Sequence, residues 1–237
     1  MIAFDQIARI PLVPLLVAQG LGIRRRVNQL PEPPGARAGA DGEGPKLRLL
    51  IIGDSSAAGV GATSQAKALS GQLVSQLAKT HRVHWRLEAA TSATTRVILD
   101  HISSLMPQKV DVVVSALGVN DVTRASSLKT WVSRQQQLVD LISESYGAKL
   151  MVASGLPPMG DYPQLPQPLR WVLGEQAKRL DKGLADLAAT HPILTHLPID
   201  VPFEPHFQAE DGYHPSEEAY ALWAELIATH IRENLKG

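Results

Sequence analysis

A serine stands in a glycine-rich turn directly behind a run of apolar residues. The run LRLLII occupies residues 47–52, and the turn GDSSAAGVGA follows at 53–62. Such a turn can hold a phosphate, bind a metal, present a serine nucleophile, or only reverse the chain with Ser55 or Ser56 capping the next helix. A phosphate loop needs a lysine followed by Ser or Thr behind its glycines, and Val60 stands where that lysine would be. The spacing therefore disfavours phosphate binding.

Partners for a serine nucleophile lie far along the chain. A serine hydroxyl is a poor nucleophile at neutral pH and needs a histidine that is oriented by a carboxylate. Asp211 and His214 are three residues apart in the segment DGYHPS, just before the last helical segment. A turn there can fold the carboxylate onto one imidazole nitrogen and leave the other nitrogen to face Ser55. The alternative is an ordinary helix entry, in which Ser216 is the cap.

Two further segments could stabilise a developing negative charge. Asn120, in GVND at 118–121, can donate its side-chain amide to an oxyanion, although an Asn-Asp pair is also common in turns. The segment ATSATT at 90–95 begins a predicted helix, whose free backbone N–H groups could join the same site.

The elements that must position these residues alternate along the chain. Short apolar runs predict strands at 47–53, 83–89, 110–117, 149–155 and 193–197, and helical periodicity predicts helices at 69–80, 95–106, 128–146, 169–190 and 216–234. Strands that alternate with helices favour an open parallel sheet covered on both faces. Ligands of such sheets bind outside the carboxyl ends of the strands, and the turns behind the first three strands all fall there. The four motifs are therefore expected to converge on one edge.

The composition limits the class of protein. The chain has 237 residues, of which 44% are hydrophobic, and this suits one globular domain with an extension. The formal net charge is zero and no basic face is evident, so no nucleic-acid partner is expected. Without cysteine there is no disulfide, thiolate metal site or cysteine nucleophile. His81 and His84 have no acid between them, and we expect neither a metal nor a cofactor.

The N-terminal segment has a different composition. The run at 10–23 is apolar but has only 14 residues and two prolines, and three arginines follow it. It is shorter than the roughly 20 residues that span a bilayer, and its charges do not follow the order of a signal peptide. We expect an arm packed on a cytoplasmic protein, with peripheral membrane contact or export as alternatives. Residues 31–45, rich in Pro, Gly and Ala, predict an irregular linker. Residues 1–45 are thus arm and linker, and residues 46–237 form the catalytic domain.

The ordered set of GDS with GVG behind it, GVND and DGYH resembles the SGNH (GDSL-type) hydrolases, over roughly residues 47–216. The resemblance implies an α/β fold: a flavodoxin-like three-layer α/β/α sandwich with a central parallel sheet of about five strands. It implies Ser55 as the nucleophile, His214 as general base and acid, and Asp211 as the group that orients His214.

The resemblance also implies an oxyanion hole. Its donors would be the backbone N–H groups of Ser55 and Ser92 and the side chain of Asn120. Ser92 departs from the family pattern, which usually has glycine at this position. Serine keeps the N–H group but loses the freedom of glycine at positive φ.

The substrate is less well defined by the sequence. Met159 and Tyr162, in the proline-rich loop at 156–168, could wall an acyl pocket together with the apolar arm. Arg124 could meet an acidic substrate group or form a surface ion pair. We expect a hydrolase of small to medium acyl esters that works through an acyl-enzyme. The alternatives are an acyltransferase, a carbohydrate or lipid deacylase with the same triad, and a non-catalytic binding module.

Overall fold

The protein has an α/β fold built on a six-stranded sheet. The computed structural model describes residues 4–26, 30–199 and 204–235, so residues 1–3 and 27–29 of the predicted arm and linker lie outside the described residues. The strands are β1 Ala38–Asp41, β2 Lys46–Gly53, β3 Arg82–Ala89, β4 Val112–Ala116, β5 Leu150–Ser154 and β6 Leu194–Leu197. The helices are α1 Phe4–Arg26, α2 Ser55–Ala58, α3 Leu69–Leu77, α4 Thr95–Ser104, α5 Val119–Thr123, α6 Leu128–Tyr146, α7 Leu169–Ala188 and α8 Glu217–Asn234.

The strands lie in the order β1-β3-β2-β4-β5-β6. Strands β2 to β6 are parallel, which confirms the predicted parallel sheet, and β1 runs antiparallel to β3 at one edge. Strand β1 lies within residues 31–45, where an irregular linker was predicted. Its four residues are all exposed and are held by backbone pairing alone, so they leave no hydrophobic pattern in the sequence.

Helices cover both faces of the sheet and make two cores. Successive side chains of a strand point to opposite faces. Leu50 and Ile52 of β2 pack with residues of α4, α6 and α7, whereas Leu49 and Ile51 pack with residues of α3 and α8. The result is the predicted three-layer sandwich.

The N-terminal segment, predicted as an arm without an assigned secondary structure, is a continuous helix. Helix α1 has 23 residues and runs through Pro11 and Pro14. A window of 18 residues, Gln6–Ile23, is long and apolar enough to cross a membrane by length and composition, and none of it is buried. The helix is therefore longer than the apolar run at 10–23, because the residues before that run continue its turns.

The chain changes direction across the sheet at β2. From β2 it passes to β3 on one side, and from β3 it crosses to β4 on the other side of β2. The loops that leave β2 and β4 therefore diverge, and a crevice opens between them at the carboxyl ends of the strands. This crevice is where the sequence motifs come together.

Candidate active site

Three side chains form a hydrogen-bonded line in the crevice. Nε2 of His214 lies 2.9 Å from Oγ of Ser55, and Nδ1 of His214 lies 2.5 Å from Oδ2 of Asp211. Ser55 and His214 are 159 residues apart in the chain. The structure thus brings together the residues predicted as nucleophile, base and orienting acid.

The turn behind β2 fixes the position of Ser55. Asp54 caps the short helix α2, because its Oδ1 accepts a hydrogen bond from the backbone N–H of Ser56 at 3.0 Å. Gly53 packs so closely on β4 that a Cβ atom there would lie 2.4 Å from the carbonyl oxygen of Ala116. Ser55 is therefore held at the edge of the sheet, on the wall of the crevice.

The loop that carries His214 is packed against the same turn. Gly61 has φ of +102°, and a Cβ atom there would lie 2.4 Å from the carbonyl oxygen of Pro215. The buried hydroxyl of Tyr220, in α8, donates to the carbonyl of Val60 at 2.7 Å. Gly61, the second glycine of the GVG segment, thus allows the loop that carries His214 to pack against this turn, and Tyr220 of α8 holds the two together.

An acidic residue at the start of α8 adds a second tie. Oε1 of Glu217 accepts hydrogen bonds from the backbone N–H and the hydroxyl of Thr63, at 2.9 and 2.6 Å. Its Oε2 lies 3.0 Å from the ammonium group of Lys67. These contacts, led by the hydroxyl of Thr63, lower the pKa of Glu217 to about 2. Glu217 therefore binds the loop behind Ser55 as a carboxylate.

Asp211 is held as a carboxylate at neutral pH. Only 1% of its side chain is exposed, and this burial alone would raise its pKa. The hydrogen bond with the imidazole of His214, and those from the backbone N–H groups of Tyr213 and His214, outweigh burial and lower the pKa. A carboxylate at Nδ1 keeps the proton of a neutral imidazole on that atom and leaves Nε2 free to accept one.

The amide of Asn120 lies on the opposite side of the crevice, at the start of α5. Its Nδ2 donates to the carbonyl of Ala93 at 3.0 Å and lies 3.4 Å from Oδ2 of Asp54. Asn120 lines the same cavity as Ser55 and Ser92. The three residues predicted as oxyanion donors therefore share one cavity.

Ser92 has the backbone conformation that glycine would favour. Its φ is +64°, in the left-handed region. Nη2 of Arg124 donates to the carbonyl of Ser92 at 3.2 Å. Arg124 also lines the cavity, so it is near the expected substrate position while it contacts the backbone of the segment that carries Ser92.

A family model agrees with this geometry. The model of the GDSL-like lipase/acylhydrolase family matches residues 51–222, which include all three members of the hydrogen-bonded line. The chain belongs to this family. The resemblance found in the sequence is thereby confirmed, and the family is one of ester hydrolases.

One curated relative and two solved structures are similar to this chain. The GDSL-like esterase Rv1075c of Mycobacterium tuberculosis is 29% identical in an alignment of 207 residues, and the match covers 80% of this chain and 63% of that protein. The chain thus spans less than two thirds of the length of this relative. The lipase Lip_vut3 from a goat rumen metagenome has a TM-score of 0.63 at 15% identity and covers 77% of this chain and 96% of its own. The psychrotrophic esterase EstA from Pseudoalteromonas sp., in a structure inhibited by monoethylphosphonate, has a TM-score of 0.61 at 19% identity and covers 78% and 97%. At such identities the structural likeness shows the fold alone.

Sequence reasoning missed one structural residue of this GDSL-like site. Asp121, to which the sequence analysis assigned no role, is fully buried, and its Oδ2 accepts hydrogen bonds from the backbone N–H and the hydroxyl of Thr95, both at 2.9 Å. The hydroxyl of Thr95 in turn accepts from the indole N–H of Trp131 at 3.1 Å. Asp121 therefore ties the Asn120 segment to the start of α4, beside Ser92. Thr95 and Asp121 are 26 positions apart in the sequence, and no local pattern indicates that they pair.

A cavity of about 1050 Å³ opens beside Ser55. Met159 and Tyr162 line it, as the sequence analysis expected, and so does one side of α1. Other residues along its wall are Leu156, Leu165, Val172 and Leu173. Within the described part of the chain, no group of three or more His, Cys, Asp or Glu residues could hold a metal ion. The chemistry that these side chains offer is acyl transfer through a serine next to an apolar pocket.

Proposed function

We propose that the chain hydrolyses carboxylic esters through an acyl-enzyme on Ser55. The observation that carries this proposal is the hydrogen-bonded line from Ser55 Oγ through His214 to Asp211, at the mouth of an apolar cavity. Membership of the GDSL-like lipase/acylhydrolase family supports it.

The first step forms the acyl–serine bond. Nε2 of His214 takes the proton of Ser55 as Oγ attacks the ester carbonyl carbon, and the carbonyl oxygen becomes an oxyanion. The carboxylate of Asp211 stabilises the imidazolium that results. The contact of 2.9 Å between Nε2 and Oγ is already within the range that proton transfer needs.

The oxyanion would rest on three donors: the backbone N–H groups of Ser55 and Ser92 and the amide of Asn120. A positioned donor of this kind contributes roughly 3–4 kcal/mol to transition-state stability. The amide of Asn120 is oriented before substrate binds, because Ala93 and Asp54 hold it. Its longer contact, 3.4 Å to Asp54, is the weaker of the two and the one that an oxyanion would replace.

The second step releases the products. His214 returns its proton to the leaving alcohol as the ester C–O bond breaks. A water molecule then loses a proton to His214 and attacks the acyl carbon, which frees the acid and restores Ser55. The acyl group would lie in the cavity against Met159 and Tyr162. A cavity of about 1050 Å³ is large for an acetyl group and supports acyl chains of medium or greater length.

Hydrolysis of p-nitrophenyl esters from acetate to palmitate tests this proposal. Ser55→Ala should lower kcat by on the order of 10³-fold or more, because it removes the hydroxyl that contacts Nε2 of His214. Ser56→Ala is the matched control and should keep its turnover, since Ser56 is held through its backbone N–H.

Labelling gives an independent check of the same assignment. A serine-directed phosphonate should attach to Ser55 of the wild-type chain and to no residue of the Ser55→Ala variant. Turnover that survives this substitution, or a label on another residue, would contradict the proposal. Faster transfer of the acyl group to an added alcohol than to water would make the chain an acyltransferase with the same nucleophile.

A further inference from the structure

The exposed apolar side chains of the protein are concentrated on α1. In the rest of the described chain the exposed large hydrophobic residues are Val97, Met106 and Leu128. Helix α1 alone carries six, with 47–67% of each side chain exposed: Ile7, Ile10, Val13, Leu15, Val17 and Leu21. A helix that is apolar all round is normally buried in protein or in lipid, and a contiguous exposed patch of this kind marks an interaction surface.

One side of α1 is held along the catalytic domain. The amide of Gln19 donates to the carbonyl of Gln167 at 2.7 Å, and its oxygen accepts from the backbone N–H of Leu169 at 3.2 Å. Helix α1 also packs on α7, which begins at Leu169. Because both the donor and the acceptor of Gln19 are bound to the domain, the helix lies along its surface and does not extend away from it.

The exposed face of α1 continues into the cavity that holds Ser55. Ile10, Val13, Val17 and Leu21 are exposed to solvent, and all four also line the cavity. Ile7 and Leu15 are exposed but do not line it. An apolar surface therefore leads from the outer side of the helix to the nucleophile.

The charges of α1 complement an anionic lipid surface. Within the helix, Arg9 precedes the apolar run, three arginines at 24–26 end the helix, and Asp5 is the one acidic residue. Arginines next to an inserted apolar segment are attracted to anionic headgroups. An apolar helix that ends in arginines is complementary to an anionic bilayer surface. A second copy of the same helix would instead place its arginines near these arginines, and like charges repel.

We infer that α1 is a lipid-contacting helix, which lies flat in the surface of an anionic bilayer and brings the mouth of the cavity against the membrane. An amphiphilic ester then reaches Ser55 directly from the lipid. The contacts of Gln19 and α7 keep the helix on the domain, so it does not span the bilayer. The inference that α1 contacts lipid depends only on the features of α1, whereas the delivery of an ester to Ser55 rests on the proposed function.

Vesicle flotation of the full-length chain tests the lipid contact. The wild type should float with vesicles of phosphatidylcholine and phosphatidylglycerol, and less with phosphatidylcholine alone. The double substitution Ile7→Gln and Leu15→Gln should lower the bound fraction about tenfold or more, because two large apolar side chains leave the lipid. Met106→Gln is the matched control: Met106 is 85% exposed but lies outside α1, so this variant should float like the wild type.

Several outcomes would overturn the inference. The inference that α1 contacts lipid is wrong if the wild-type protein stays in the dense fraction, or if the double variant floats as well as the wild type. A wild-type dimer that the double substitution converts to monomer, without flotation, assigns the exposed face to a second copy of the chain. Protein from cells whose intact mass lacks α1 would make the segment a processed leader.

The delivery of substrate has its own measurement. For the double variant, hydrolysis of soluble p-nitrophenyl acetate should stay at the wild-type rate, while hydrolysis of p-nitrophenyl palmitate in anionic vesicles should fall with the bound fraction. If the double variant hydrolyses both esters at the wild-type rates, or loses the same fraction of its rate on both, substrate is not delivered from the membrane. Ser55→Ala should float like the wild type, so flotation tests the lipid contact even if no ester is hydrolysed.

Discussion

Ser92, a proposed oxyanion donor, has a backbone conformation that is unfavourable for a residue with a Cβ atom. A left-handed φ costs a residue with a Cβ atom about 1–2 kcal/mol relative to glycine, and Ser92 holds φ at +64°. The hydrogen bond from Arg124 to its carbonyl helps to hold this conformation. Strained backbone of this kind persists where the surrounding structure fixes it, often at functional sites.

Ser92→Gly should therefore relieve strain without removing the N–H donor. We expect stability to rise by about 1 kcal/mol and kcat to stay equal or increase, because glycine adopts positive φ freely. Denaturant unfolding and p-nitrophenyl ester kinetics measure the two effects. A large fall in kcat with unchanged folding would show instead that the hydroxyl of Ser92 takes part in the reaction.

Asp54 introduces a pH dependence next to the nucleophile. Its side chain is 3% exposed, and burial raises its pKa to about 6, against the hydrogen bond from Ser56 and the attraction of His214. The unfolded carboxyl titrates near pH 3.9. Because the folded pKa is the higher one, the protonated form contributes stability that is complete below about pH 4 and is lost as the pH rises through about 6.

Comparison of Asp54→Asn with the wild type should reveal this titration. The asparagine is neutral at every pH, so the free energy of unfolding of the variant relative to the wild type should rise by about 3 kcal/mol between pH 4 and pH 8. Urea unfolding at a series of pH values measures it. A difference that does not vary with pH would mean that Asp54 is equally easy to ionise in the folded and unfolded chain.

At the level of single residues, the sequence predicts the hydrogen-bonded line but not its supports. Ser55, His214 and Asp211 were found because their types, their order and their position behind strands or before a helix are all visible locally. Asp121 and Arg124 bond to partners 26 and 32 positions away, at Thr95 and Ser92. Such pairs depend on the tertiary fold, which no local pattern encodes.

At the level of elements, the start of α8 connects the loop behind Ser55 with the loop that carries His214. Glu217 holds the loop behind Ser55 through Thr63 and Lys67. Its pKa is lowered to about 2, so its contribution to stability is present above about pH 4.3 and is lost as the pH falls through about 2.

Glu217→Gln should weaken this connection at neutral pH. The side chain is 30% exposed, so solvent screening limits the loss of stability to about 1 kcal/mol at pH 7. We expect kcat for soluble esters to fall as well, since His214 lies in the loop that α8 anchors. Glu225→Gln, an exposed position on the same helix, is the control for unfolding and kinetics. Equal effects of the two substitutions would contradict a special role for Glu217.

Elements with a strong burial pattern were predictable, and those without one were not. Helix α6 has the predicted bounds, 128–146, because one of its faces is buried along its whole length. Strand β1 has no buried side chain, so it can be recognised only from its backbone pairing with β3 and not from the sequence. Helix α1 was predicted only as an apolar arm, with no secondary structure assigned, and it is a helix that runs through Pro11 and Pro14.

At the level of the whole molecule, the parallel sheet explains why scattered motifs form one site. The five parallel strands point their carboxyl ends to the same edge, and the reversal of strand order at β2 opens the crevice there. The parallel sheet and the convergence of the motifs on its carboxyl edge could be inferred from the alternation of strands and helices, whereas the strand order could not. The sequence also led us to expect that the apolar arm walls a pocket. It did not show how the arm is held, because Gln19 bonds to Gln167 and Leu169, which lie 148 and 150 positions away.

Under the proposed mechanism, the 159 positions between Ser55 and His214 in the sequence also determine when a nascent chain can become active. Ribosomes add roughly 5–20 residues per second, so the nucleophile is made on the order of ten seconds before its base. Under the proposed mechanism, Ser55 of a nascent chain lacks its base until His214 has left the ribosome and α8 has packed against α3. Under the proposed mechanism, a chain that terminates before His214 has no base for Ser55 and should not hydrolyse esters.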